Sequence, residues 1–509
     1  MGIIVMKTGE LDYADVQGLV RYGYGRMKKA RYELLRVKDL AAARAWLRTA
    51  KINSAVAMEP PPKTALQVAF TAPGLRKLGI HDDVIAGFSH EFRSGMAAES
   101  RARQLGDVKD NAPENWEWGG FGKEPHLVVM FFGEAECYSD FVEKSKGAAW
   151  HDAFELLSEP LRTTDLDGIE PFGFADGVSQ PQIDWEQQQA TTHAQFNYTN
   201  LAALGEFLLG YPNEYGKLTE RPLLDSDDAS KHLLNAVEVP RKKDLGRNGT
   251  YLVMRQLEQD VRKFWKYSYE QSGGDHDEAE KLAAALVGRT RDGEPLAAVS
   301  HQSIPGVEEK ETHNQFTFDQ DPAGGRCPFG AHIRRANPRN SDYPGPPSNL
   351  LKKLLIMIGF GPRGFRDDLM SSVRFHRILR RGREYGSGLK PEDALTGMGA
   401  DTPRGIHFIC LNANISRQFE FIQNAWMASS KFSGLSDESD PLVGTRQPIP
   451  GCPVTGNFTL QSDGGLRRRL TGMQQFVTLR GGAYFFLPSL RALRFIADAG
   501  VDRDVRPPS

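Results

Sequence analysis

Gly249-Thr250-Tyr251-Leu252-Val253-Met254-Arg255-Gln256-Leu257 has the length, aromatic content and apolar density of a buried strand, and Asp260 to Tyr267 directly after it reads as a helix. The same couplet occurs earlier. His126 to Phe132 (HLVVMFF) is a strongly apolar run of strand length, and Glu134 to Lys146 then reads as a helix. Working outward, Ala30 to Val37 and Thr64 to Thr71 read as strands, Leu40 to Ala50 as a helix and Gly74 to Leu78 as a short one. Gly405 to Asn412 (GIHFICLN) is a further strand, and Ile415 to Met427 repeats Ile415, Phe419, Ile422 and Trp426 at helical spacing. Phe476 to Leu487 carries two strand-like runs around Gly481-Gly482, and Ser489 to Ala499 reads as a closing helix. This mixed order predicts the α+β class, with two units of similar kind and long insertions in the second. Gly, Pro, Asn and charge are dense over 210–248, which places the boundary there and gives units 1–235 and 236–509. Segment 268–312 reads as a surface excursion. Stretch 320–350 holds too much Pro and Gly for a long regular element.

Composition narrows the function classes. Lys+Arg number 63 against 65 Asp+Glu, a net charge of −2, so nothing electrostatic calls for a nucleic-acid or anionic-membrane partner. No window approaches ~20 apolar residues, and no membrane span is expected. The first apolar run stops at Met6, too early for a signal-peptide core. Cys137, Cys327, Cys410 and Cys452 are scattered with no CxxC pair, which argues against a zinc site and against haem attached through CxxCH. So few thiols in a long chain suit a reducing compartment, and a cytoplasmic location is expected.

Three stretches could carry chemistry. In Gly173-Phe174-Ala175-Asp176-Gly177-Val178-Ser179-Gln180-Pro181, glycines flank a single carboxylate; an Asp-Gly turn is the structural reading. In Cys327-Pro328-Phe329-Gly330-Ala331-His332-Ile333-Arg334-Arg335-Ala336-Asn337-Pro338-Arg339, a histidine follows small residues and three arginines come after it. Imidazole is a common single axial ligand to haem iron, and guanidinium forks suit the haem propionates. A structural histidine beside a basic turn would look the same. In Phe375-His376-Arg377-Ile378-Leu379-Arg380-Arg381-Gly382-Arg383-Glu384-Tyr385-Gly386, the apolar pair before Arg380 suggests partial burial, and a buried arginine needs a carboxylate or a developing negative charge.

Together, and in this order, the three stretches resemble the dye-decolourising peroxidase family: its GxxDG motif, its proximal-histidine segment and its distal-arginine segment. The likeness runs from about Asp15 to about Ala499. It implies two ferredoxin-like units with antiparallel sheets, haem being held mainly by the second. It also implies a haem-dependent peroxidase that reduces hydrogen peroxide and oxidises dyes or phenols in one-electron steps through a ferryl intermediate. The cofactor would be haem b, bound non-covalently, with His332 as its iron ligand. Asp176 would move the peroxide proton and Arg380 would stabilise the charge that develops as the O–O bond breaks. Arg381 adjoins Arg380, and sequence leaves open which of the two faces the iron. Asp440, in Asp440-Pro441-Leu442-Val443-Gly444, is the candidate partner for the other His332 nitrogen, with a plain Asp-Pro turn as the alternative. Arg339 and, more weakly, Asn337 are candidate propionate partners. Ile406 and Phe408, two apart on a strand, are candidates for the distal wall. Pro171 stands where the family frequently has a histidine. The reductant is a small or bulky organic molecule, and a bulky one would need electron transfer through a surface Trp or Tyr. A haem store or carrier is the competing class; it would need neither Asp176 nor Arg380. Homo-oligomerisation and a capsule-cargo role stay open.

Overall fold

The computed structural model describes residues 11–188, 200–297, 313–339, 341, 372–446, 456–462 and 465–499. Cys452, the C-terminal tail and parts of 268–312 and 320–350 lie outside the described residues.

The N-terminal half runs β1 (Lys29–Val37), α1 (Leu40–Thr49), β2 (Thr64–Phe70), β3 (Leu127–Gly133), α2 (Ala135–Lys146) and β4 (Phe154–Leu156). The C-terminal half runs β5 (Thr250–Gln259), α3 (Val261–Gln271), α4 (His276–Val287), α5 (His332–Ala336), β6 (Leu379–Arg380), β7 (Arg383–Tyr385), β8 (Gly405–Asn412), a π-helical stretch over 416–428, β9 (Val477–Leu487) and α6 (Leu490–Asp498). All of these strands join one ten-stranded sheet, ordered β6-β8-β5-β9-β2-β3-β1-β4, with β7 also on β8 and a short strand at Leu161–Arg162 on β1. Neighbouring strands are antiparallel. Numbering the strands within each half, and counting β6 and β7 as one, both halves have the order 4-1-3-2. The class is α+β with antiparallel pairing.

The uninterrupted apolar run of β3 has a simple cause: both faces of the sheet are covered. Leu127, Val129 and Phe131 enter one core, while Val128, Met130 and Phe132 enter the other. The first core also takes Tyr251 and Val253 from β5 and Phe486 from β9, so it spans both halves. The halves meet edge to edge where Phe486 pairs with Phe70. Elsewhere the outer edge of β2 is closed by side-chain amides. Gln17 accepts from Val68 N–H (3.0 Å) and donates to the carbonyls of Val68 and Pro488 (2.9 Å each). Asn53 Oδ1 accepts from Leu66 N–H (2.9 Å).

Two expectations are corrected. Segment 268–312 is no surface excursion over its described part: α4 packs Leu282, Ala283 and Leu286 into a core with α3 and buries Ala279 as well. Asp275 caps its start by accepting from Glu278 N–H (2.9 Å), and Gly288, at φ 97°, ends it. Phe476 to Leu487 is one strand, not two runs. Its glycines do not break it; Gly481 admits Trp118, whose indole lies so close that a Cβ there would sit 2.5 Å from it, and Gly482 admits Met96. The pairing of β9 with β5 carries a register shift between Gln256 and Leu257.

Candidate active site

A cavity of about 350 Å³ is lined by both halves and bounded by the Gly173–Pro181 loop, α5, β8 and the π-helical stretch. His332, Asp176, Arg380, Arg339, Asn337, Ile406 and Phe408 all line it, and Asp440 stands directly behind His332. Residues as far apart in sequence as Asp176 and Asp440 are thus collected at one place.

The loop is held in shape by its own backbone and by Glu170. Gly173 (φ 98°) and Gly177 (φ 72°) occupy backbone conformations that side chains disfavour, and they frame Asp176. The Glu170 carboxylate accepts from the N–H groups of Phe172 (3.0 Å) and Phe174 (3.0 Å) and from Gln259 Nε2 (2.7 Å) at the end of β5. Burial nevertheless pushes the Glu170 carboxyl up to about 7. Further on, the Gln180 amide bonds both the N–H (3.1 Å) and the carbonyl (3.2 Å) of Arg380, docking the loop on β6. Arg380 then donates to Asp176 Oδ1 (3.1 Å) and to the Ser179 carbonyl (3.1 Å). Burial alone would raise the Asp176 carboxyl; the Arg380 guanidinium and the Gly177 N–H outweigh it and hold it below its ordinary value. Arg381 points the other way, donating to the carbonyls of Leu19 (2.8 Å) and Val20 (2.9 Å). Strand alternation explains the split, and Arg380 is the one that faces the cavity.

Across the cavity, His332 opens α5. Its Nδ1 lies 3.1 and 3.0 Å from the two oxygens of Asp440, which is fully buried. Asp440 also accepts from the N–H groups of Leu442 and Val443 (2.9 Å each). It is therefore both the turn-former and the partner of the histidine. Burial would lower the His332 imidazole, but the Asp440 carboxylate prevails and raises it. Asp440 itself is held low: burial would raise it, and His332 outweighs that. With Nδ1 engaged, Nε2 is the nitrogen left to the cavity.

The cavity rim is cationic. Arg339, with φ 57°, donates to the carbonyls of Asn314 (2.9 Å) and Phe316 (2.8 Å) and stacks over the Phe316 ring at 3.7 Å. Asn337 Oδ1 accepts from Arg339 N–H (3.2 Å). Arg289 was not singled out in the sequence. It is buried, donates to Ser179 Oγ (2.8 Å) and to the carbonyls of Gly293 (2.5 Å) and His313 (3.2 Å), and has no carboxylate in range among the described residues. Burial, with Arg339 and Arg380 nearby, pushes its guanidinium down to about 9. Glu170, Gln180, Gln259 and Ser179 also went unnoticed. Only the Ser-Gln-Pro ending of the first motif hinted at any of them. Ile406 and Phe408 wall the cavity from β8, while His407 between them faces away and bonds the Arg162 carbonyl (3.1 Å). Pro171 is buried, and its neighbour Glu170 is the side chain that reaches the cavity.

Comparison with known proteins bears on the family and the fold. Residues 31–147 match a family model described as the DyP dimeric alpha+beta barrel domain. The chain is 29% identical to a multifunctional dye peroxidase of an Amycolatopsis species, over 97% of this chain and 92% of that protein. It is 26% identical to a dye-decolorizing peroxidase of Mycetinis scorodonius, over 96% of this chain and 88% of that protein. Among solved structures it superposes on an ancestral D-type dye decolorizing peroxidase with a TM-score of 0.70 at 25% identity, covering 96% of this chain and 99% of the other. A dye-decolorizing peroxidase in complex with 2,6-dimethoxyphenol has the same fold, with a TM-score of 0.70 at 24% identity, covering 96% of this chain and 100% of that one.

Proposed function

Since the chain belongs to the dye-decolourising peroxidase family, we propose that it is a haem-dependent peroxidase that reduces hydrogen peroxide and oxidises dyes or phenolic compounds in one-electron steps. The cavity fits the cofactor on three counts. His332 offers a free Nε2 with a carboxylate behind its other nitrogen. Ile406, Phe408, Phe419 and Val443 give apolar walls. Arg289 and Arg339 gather positive charge, and among the described residues no carboxylate pairs with Arg289, which suits two propionates. Haem b, held non-covalently with His332 on its iron, suits these residues. Arg289 joins Arg339 and Asn337 as a propionate-side residue. When bound, haem supplies the redox centre at which peroxide is reduced and to which organic reductants return electrons singly.

The residues then divide the work. Asp176 takes the proton from one peroxide oxygen and delivers it to the other, which leaves as water. Its lowered pKa keeps it a base in acid. Arg380 lies against both Asp176 and the loop carbonyl, where it can meet negative charge on the departing oxygen. Glu170 and Gln180 fix the loop so that Asp176 Oδ stays over the cavity. The apolar wall limits water. A haem carrier has no use for an Asp176–Arg380 pair, and that pair is the observation that carries the peroxidase reading.

The test is an absorption spectrum of the purified, haem-supplied protein before and after hydrogen peroxide. A haem band that shifts on peroxide, and returns on addition of a phenol, is expected. A chain with no haem affinity sinks the reading. His332→Ala should abolish the protein's bond to the haem iron; an unchanged spectrum removes His332 from that role.

A further inference from the structure

One buried guanidinium and one half-buried guanidinium flank the His332–Asp440 pair, and the chemistry above uses neither. Arg335, three residues beyond His332 on α5, is fully buried. Its Nη1 donates to the carbonyls of Trp426 (2.7 Å) and Ser429 (2.9 Å), and its Nη2 to that of Glu438 (2.6 Å). Arg446 donates from Nη2 to the Asp440 carbonyl (2.6 Å) and from Nη1 to Ser439 Oγ (2.6 Å) and the Gly444 carbonyl (3.0 Å). Among the described residues, neither has a carboxylate within ion-pair distance. Carbonyl groups solvate a cation but leave its charge in place. Burial pushes both guanidiniums down to about 10, and the Asp440 carboxylate is the first charge that opposes this in each. Asp440 thus has His332 and the N–H groups of Leu442 and Val443 as hydrogen-bond partners, with two cations close by that form no ion pair among the described residues.

We propose that Arg335 and Arg446 are positioning residues for the axial ligand: their charges temper the pull of the Asp440 carboxylate on the His332 Nδ1–H, and so set the donor strength of Nε2. The inference rests on the haem reading above. A carboxylate on the far nitrogen makes an imidazole a stronger donor, which favours oxidised iron. Cations beside that carboxylate act against it, and in a buried site their field is weakly screened. Asp440 and the arginines therefore push the iron potential in opposite directions. A purely structural role for the arginines predicts no such opposition.

The test is a reductive titration of the haem-loaded full chain at fixed pH. Arg446→Gln and Arg335→Met should each shift the ferric–ferrous equilibrium at least tenfold toward ferric, a fall of about 59 mV in midpoint for one electron. Asp440→Asn should raise the midpoint. Arg335→Lys, which keeps the charge, should restore the wild-type value. In an Asp440→Asn background the effect of Arg446→Gln should shrink by at least half. Should Arg335→Met fail to fold, Arg446→Gln and its pairing with Asp440→Asn decide alone. Unchanged midpoints in variants that still bind haem through His332 overturn the inference. So does an undiminished arginine effect without Asp440. A wild-type chain that takes up no haem overturns the function reading, and this inference with it.

Discussion

Asp176→Asn keeps the shape of the side chain and removes its basicity. Haem should still bind, while the second-order rate with peroxide in stopped-flow falls by roughly 10²–10⁴. Arg380→Leu should cost about 10²–10³ and should also change the pH profile. In the wild type Arg380 holds the Asp176 carboxyl below its ordinary value, so the base stays ionised as pH falls and the rate should hold until below about 4. Without Arg380, burial prevails and the acid limb should move toward neutrality; a limb that stays put argues against their pairing. Glu170 has the opposite sign. Its folded-state pKa is raised to about 7, so the folded protein holds a proton that the unfolded chain has lost between about 4.5 and 7. Stability from this group is present below that window and is lost as pH rises through it. Glu170→Gln should flatten the fall; denaturation midpoints that run parallel in both proteins would contradict it. His332, Asp176 and Arg380 were legible because each sits in a distinctive short string. Arg289 and Glu170 were not. Each lies among ordinary loop residues, and its value depends on which way the loop folds back.

At the scale of elements, legibility followed the regularity of burial. β3 and β5 are covered on both faces, and their apolar runs announced them. Helix α4 opens with His276-Asp277-Glu278 after two glycines, and that polar start masked the Ala279–Leu282–Ala283–Leu286 stripe behind it. Leu286 is fully buried there, and Leu286→Ala should cost about 2–5 kcal/mol in chemical denaturation. A loss under half a kilocalorie would mean that the helix is peripheral after all. The Gly481-Gly482 pair misled in the other direction. Glycine in a strand can signal an end or a close neighbour, and only the indole of Trp118, more than 360 positions earlier, decides between them. Gly481→Ala should destabilise by about 1–3 kcal/mol through that contact, and pairing it with a smaller residue at 118 should recover part of the loss.

Over the whole molecule, one apolar core runs through both halves, so thermal or denaturant unfolding should give coincident transitions by circular dichroism and tryptophan fluorescence. Two separated transitions would show that the sheet seam does not couple the halves. The pairing of β9 with β2 at that seam was invisible in sequence, because the partners lie some 400 residues apart and meet through one residue pair. That distance also matters on the ribosome. At roughly 5–20 residues per second, β2 waits about 20–80 s for β9 to be made. A bare strand edge exposed for so long invites pairing with other nascent chains. Here the edge is plugged from upstream: Gln17 and Asn53 are synthesised before β2 and occupy the N–H groups of Val68 and Leu66. The first half of the polypeptide can therefore leave the exit tunnel with its most vulnerable border already shielded, and what the last strand adds is the Phe486–Phe70 pairing and, just past its end, the Pro488 carbonyl.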